Sequence, residues 1–127
     1  MVATPDYVEY LRDQFITLGT ITTRRMFGKT GVFINGVMLG VVSDNMLYFR
    51  VDDDNRSMFA EAQQHPPLSY VKNGVKIDLA FWRAPERLFD DPEEFIRWAR
   101  AALAAALRVA ARRSNTPGRT AQRPRRR

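Results

Sequence analysis

Apolar side chains recur at helical spacing near both ends of the chain and alternate in short runs between them. Val8, Leu11, Phe15 and Leu18 form one stripe, with Thr4 placed to cap the helix, Pro5 at its first position and Gly19 to end it. A second start signal is Asp91-Pro92-Glu93-Glu94, a cap followed by proline and acids. It opens a long helix to about Arg113, whose stripe is Phe95, Ala99, Ala102, Leu103, Ala106 and Ala110. Between the ends, Asn35-Gly36, Asp44-Asn45 and Asn73-Gly74 are two-residue hairpin signals, because a type I′ turn needs positive φ at both central residues. Ile21 to Gly28 reads as a strand leading into the first hairpin. The stretch Asp52 to Gln64, with Met58, Phe59 and Ala62 on one side and His65-Pro66-Pro67 as its stop, predicts a short middle helix.

Regular two-residue turns fix a register. Ile34 then pairs with Val37, Phe33 with Met38, Val42 with Leu47, Gly40 with Phe49, and Gly31 lies opposite Gly40. Phe33, Met38, Val42, Leu47, Phe49 and Val51 fall on one face; Val32, Ile34, Val37, Leu39, Val41, Met46 and Tyr48 fall on the other. Both faces are apolar, whereas a sheet with one face in water alternates apolar with polar. Either helices cover both, or another chain covers one. A homodimer through Val32, Ile34, Val37, Leu39, Val41 and Tyr48 is the resulting expectation. In the second hairpin, Leu68, Tyr70, Val75, Ile77, Leu79 and Phe81 share a face. The expected fold is α+β: two layers, with an antiparallel sheet built from hairpins and N-terminal, middle and long C-terminal helices.

Charge alters this picture at one end only. The formal net charge is +6, but Arg112, Arg113, Arg119, Arg123, Arg125, Arg126 and Arg127 supply seven positive charges beyond the last acid, Glu94. Residues 1–111 keep 13 basic against 14 acidic side chains, a net charge of −1. The expected organisation is one domain over 1–111 and an arginine-rich tail over 112–127, too poor in apolar surface to order itself when free. The tail, with a helix face of Arg97, Arg100, Arg108 and Arg112 leading into it, is the candidate contact for DNA or RNA phosphates.

Catalytic chemistry finds little support. There is no cysteine, so thiolate catalysis, disulfides and cysteine-ligated metals are excluded. His65, the single histidine, precedes two prolines and reads as a loop residue. Asp52-Asp53-Asp54-Asn55 lacks the glycine and distal glutamate of a calcium loop, and the acids of Asp90-Asp91 and Glu93-Glu94 suit a helix start. Gly28-Lys29-Thr30-Gly31 lacks the earlier glycine of a phosphate loop. The aromatics Tyr48, Phe49, Tyr70, Phe81 and Trp82 interleave with basic residues as a single-strand nucleic-acid surface does, but core packing is the simpler role. No cofactor or metal is expected. With neither a membrane span nor a signal segment in the sequence, the expectation is a soluble, cytoplasmic protein.

One further pattern carries a resemblance. It comprises Arg24-Arg25-Met26-Phe27-Gly28, Gly31-Val32-Phe33, Gly36-Val37-Met38-Leu39-Gly40, Leu47-Tyr48-Phe49-Arg50-Val51-Asp52, Tyr70, Pro85 and the stretch around Trp98-Ala99. Over residues 5–111 the chain thereby resembles the N-terminal domain of the TfoX/Sxy family of competence regulators. Lys29 stands where the family usually has a second glycine, and 127 residues leave no room for the C-terminal helical domain of full-length regulators. The resemblance implies a two-layer α/β fold, no catalytic residues, and regulation of natural competence beside a transcription activator. The resulting expectation is a small noncatalytic regulatory or interaction module with possible nucleic-acid contact through its tail. A dimeric protein-binding domain without a nucleic-acid role, and an enzyme acting on nucleic acid or a phosphorylated ligand, are the alternatives.

Overall fold

The computed structural model describes residues 3–114. Helix α1, Pro5–Gln14, begins where Thr4 Oγ1 accepts from the Tyr7 amide at 3.3 Å. Four strands follow as consecutive hairpins: β1 Thr22–Met26, β2 Lys29–Ile34, β3 Val37–Ser43 and β4 Met46–Arg50. A separate hairpin, β5 Ser69–Lys72 with β6 Val75–Asp78, precedes the short strand β7 Phe81–Arg83 and the long helix α2, Pro92–Ser114. The antiparallel main sheet runs β1-β2-β3-β4-β7, and β5-β6 form a second, two-stranded sheet. The fold is α+β, with α1 and α2 on one face of the main sheet.

The expected turns form for the expected reason. Asn35 and Gly36, Asp44 and Asn45, and Asn73 and Gly74 all take positive φ, between 51° and 82°. Helix α2 starts on Asp91, whose Oδ1 accepts from the Glu94 amide at 3.2 Å. Its stripe adds Trp98 and Ala105 to the expected Phe95, Ala99, Ala102 and Ala106, all buried. Phe49 of β4 sits at the centre of this layer, with ring centroids 5.7 Å from Phe95, 6.1 Å from Phe59 and 6.3 Å from Phe15 and from Trp98. Trp98 in turn stacks on Phe59 at 4.4 Å.

Register is where the sequence reading needs correction. The pairs Val42 with Leu47, Gly40 with Phe49, Phe33 with Met38 and Ile34 with Val37 all form. Between them the ladder shifts: Val32 pairs with Gly40 and Gly31 with Val41, leaving Leu39 as an extra residue in β3. Because side chains alternate with period two, one inserted residue exchanges faces along part of the strand. Val32, Ile34 and Leu39, expected on an interface, are buried in the core beneath the helices, with Val37 packed against it. Val41 and Tyr48 lie on the opposite face, with Met38. The six residues assigned to a dimer surface therefore form no single surface.

Two other segments depart from expectation. Asp53 to Phe59 makes turns, and only Ala60–Gln64 is helical, as a 3₁₀ turn. The reason is that Asp52 and Asn55 side chains capture nearby backbone groups. Asp52 Oδ1 accepts from the Asp54 and Asn55 amides at 3.0 and 3.2 Å, and Asn55 Oδ1 accepts from the Asp52 amide at 2.9 Å. The second departure is a break after β6. Ala80 takes φ 64°, its amide donating to Asp78 Oδ1 at 2.7 Å, so Phe81 leaves the hairpin and pairs with Arg50 in the main sheet.

Candidate functional site

The face of the main sheet away from the helices is only partly covered. Leu68 and Leu79, at the base of the β5-β6 hairpin, pack on Val41, Phe81, Met38 and Tyr48. Beside this contact runs an open groove of about 600 Å³, with Val41 and Phe81 in its floor, Leu68, Tyr70 and Leu79 along one wall, and Met26 and Met38 along the other. A smaller hollow of about 230 Å³ continues it toward the end of α2; the two share Met26, Met38, Arg50 and Arg113. Gly31 permits the Met wall: a Cβ there would lie 2.9 Å from Met38 Sδ and from Phe33 Cε1, and 3.1 Å from Met26 Sδ. Gly31, expected opposite Gly40, thus lies opposite Val41, and the space over it is filled by Phe33 and two methionines.

The lip of the groove is the β1-β2 turn. Phe27 and Gly28 occupy its centre with φ 53° and 74°. Glycine suits that geometry; a bulky aromatic does not, since its Cβ crowds the backbone in the left-handed region. Phe27 is also 92% exposed, so packing within the chain offers no compensation for the strain.

Cations rim the apolar floor. Arg24 lies on the groove side of β1 with its guanidinium 5.0 Å over the Phe33 ring, while Arg25 faces the other way and is exposed. Half-buried Arg50 sets its guanidinium 4.4 Å above Phe81, and its Nε donates to the Met38 carbonyl at 3.3 Å. Burial lowers its pKa first, and the nearby charge of Arg113 lowers it further. Lys29 and Arg113 complete the rim, and among the described residues no carboxylate lines either cavity. Among the described residues, Arg24, Lys29, Arg50 and Arg113 make no salt bridge.

The other candidates take structural positions. Arg108 grips Asp52 at 2.6 and 3.0 Å and reaches Asp54 at 3.1 Å, which withdraws it from the expected basic helix face and lowers the Asp52 pKa. Arg97 and Arg100 are exposed, Arg112 has electrostatic or bonding contacts of its own, and Arg113 turns to the groove. The anticipated arc is therefore not one surface. Arg119, Arg123, Arg125, Arg126 and Arg127 lie outside the described residues. His65 is exposed, 3.4 Å from an Arg83 nitrogen through Nδ1, and no cluster of three His, Cys, Asp or Glu suited to a metal occurs among the described residues. Nor is any helix of the described residues long and apolar enough to cross a membrane.

Sequence reasoning missed two groups. Asn55, 4% exposed, donates through Nδ2 to the carbonyls of Arg50 at 3.1 Å and Ala101 at 3.2 Å, tying the end of β4 to the middle of α2. Arg87 clamps Glu61 at 2.6 and 2.8 Å and Glu94 at 2.7 and 2.9 Å; these hydrogen bonds hold the Glu94 carboxyl down at about 2 and lower Glu61 as well. Only a tertiary contact makes either role visible, although the asparagine within an acidic run was a signal.

Fold and motif together describe a small α+β domain whose signature turn overhangs an open, basic-rimmed sheet face. Residues 13–106 match the TfoX N-terminal domain, and the chain belongs to that family. Among curated proteins it is similar to Protein Sxy of Escherichia coli (strain K12), with 30% identity over 99 residues, covering 76% of this chain and 46% of Sxy. The chain thus spans less than half the length of that relative.

Proposed function

We propose that the chain is a noncatalytic, cytoplasmic regulatory module that works by engaging another protein through the open sheet face, in the competence-related role its family suggests. The observation that carries this reading is Phe27: a strained, 92% exposed aromatic at the tip of the family's signature turn, beside an apolar groove. An enzyme needs polar groups converging on a reacting atom. Here the clustered acids instead serve Arg108, Arg87 and helix or turn amides. The test is complementation of cells lacking the chain, read as the transcripts whose levels change. Wild-type chain should restore them, and Phe27→Asn, at equal protein level, should not. Full restoration by the variant would overturn the reading.

A second contact rests on a separate observation. Seven arginines from Arg112 onward, with no acid among them, favour sequence-independent binding to DNA or RNA phosphates. Affinity for a random duplex should fall steeply with salt, and substituting the five arginines from Arg119 to Arg127 by Gln should flatten that dependence. An unchanged salt slope would remove the tail from the account.

A further inference from the structure

The character of the groove goes beyond a generic docking face. Its floor and walls are apolar, its rim carries Arg24, Lys29, Arg50 and Arg113, and no acid faces them from β1, β2, β4, the β5-β6 hairpin or α2 among the lining residues. Arg50 matters most, because its half-buried guanidinium has a carbonyl and a ring as its close contacts, and Asp52, the acid whose charge reaches it, is already gripped by Arg108. A carboxylate arriving there forms a charge-assisted pair in a partly dry setting, where it is stronger than on the open surface.

We propose that the groove takes an acidic protein segment bearing bulky apolar side chains, its carboxylates meeting Arg50 and Lys29 while its apolar groups fill the space between Met38 and Leu68. This rests on the docking reading above and names the partner's chemistry. Charge argues against the chain's own C-terminal arginines as occupant, since they repeat the sign of the rim. Extent argues for a protein segment over a small anion, because apolar exposure runs from the cavity's lip at Phe27 to Val75 on the same face of the hairpin, 92% and 58% exposed. Surface chemistry argues against a nucleic-acid strand. Stacking needs a succession of free aromatic faces, whereas the Arg50 guanidinium covers Phe81 and the other aromatics lining the cavity, Phe27 at the lip and Tyr70 on the wall, stand apart among aliphatic, methionine and cationic residues. Methionine walls suit a partner with varied apolar side chains, because the unbranched thioether repacks at small cost.

The experiment titrates the full chain into short fluorescein-labelled peptides, read by anisotropy. One peptide is built from Glu, Leu and Phe, a second has Lys in place of Glu, a third has Ser in place of Leu and Phe, and a fourth probe is oligothymidylate. The first should bind saturably, weaken with salt, and lose roughly tenfold in affinity on Arg50→Gln. Lys29→Gln should act in the same direction, which keeps the test decisive should Arg50→Gln disturb folding. Equal affinity of wild type and both variants would move binding to the C-terminal arginines and overturn the proposal. Equal binding of the Lys or Ser peptide would overturn the acidic or the apolar half of it. Oligothymidylate binding that is tighter and equally sensitive to Arg50→Gln would make the groove a nucleic-acid site. If no peptide binds while Phe27→Asn still fails complementation, the chemistry proposed here is wrong and the docking reading stands.

Discussion

Replacing Phe27 by Asn should make the protein more stable. The residue sits at φ 53° and is 92% exposed, so the mutation removes almost no buried apolar surface. The left-handed conformation costs an ordinary L-residue about 1–2 kcal/mol, and asparagine visits it far more readily. Relief of most of that strain is worth about 1 kcal/mol, which for a domain of this size raises Tm by roughly 4 °C. Thermal melts followed by circular dichroism, with a urea midpoint at constant m-value, measure the change directly. A Tm equal to or below wild type would refute the reasoning, since it would mean that Phe27 packs on its own chain or that its backbone is unstrained. Paired with failed complementation by the same variant, a raised Tm would place a stability cost on a residue kept for contact with something else.

Two further outcomes follow from the polar clamps. Asn55→Ala removes three hydrogen bonds from a buried site and should cost about 3 kcal/mol; Asn55→Asp should be no better, because it turns an oxygen toward the Arg50 and Ala101 carbonyls. Denaturant melts showing Asn55→Asp as stable as wild type would contradict the amide's assigned donors. At the second clamp, Arg87 lowers Glu94 from the ordinary 4.5 to about 2, so its stabilisation is present above about 4.5 and fades as pH falls toward 2. The Tm gap between wild type and Arg87→Met should therefore close over that range, and a pH-independent gap would show that the carboxylates do not supply it.

How much of this was legible in the chain depends on whether a residue's local chemistry settled its conformation. Asn35-Gly36, Asp44-Asn45 and Asn73-Gly74 reach the left-handed region cheaply, so turn position and nearby pairing could be read directly. Thr4 and Asp91 announced their helices in the same way. The β1-β2 turn was harder, because phenylalanine is a poor left-handed residue and gives no turn signal of its own. Leu39 gave none either: a bulge inserts one ordinary residue, and its choice of face is settled by how the ladder closes around Gly40. That single residue changed the apparent interface into core and hid the groove, which needs Met38 and Val41 on one side. Ala80 likewise divides what reads as a continuous strand from Val75 to Trp82.

That division at Ala80 has a mechanical consequence. The wall of the groove belongs to a two-stranded sheet, and two strands alone are marginal in water. Backbone bonds at the wall's foot run from the Leu68 amide to the Phe81 carbonyl and from the Leu79 amide to the Leu68 carbonyl, both 2.9 Å. Floor and wall should accordingly open separately in hydrogen exchange: amides of β5 and β6 are expected to exchange through local opening, and those of β3 and β4 only on unfolding of the whole domain. The cleft then resembles a vice with one fixed jaw, and a segment seated in it would give up part of its binding energy to hold the movable jaw in place.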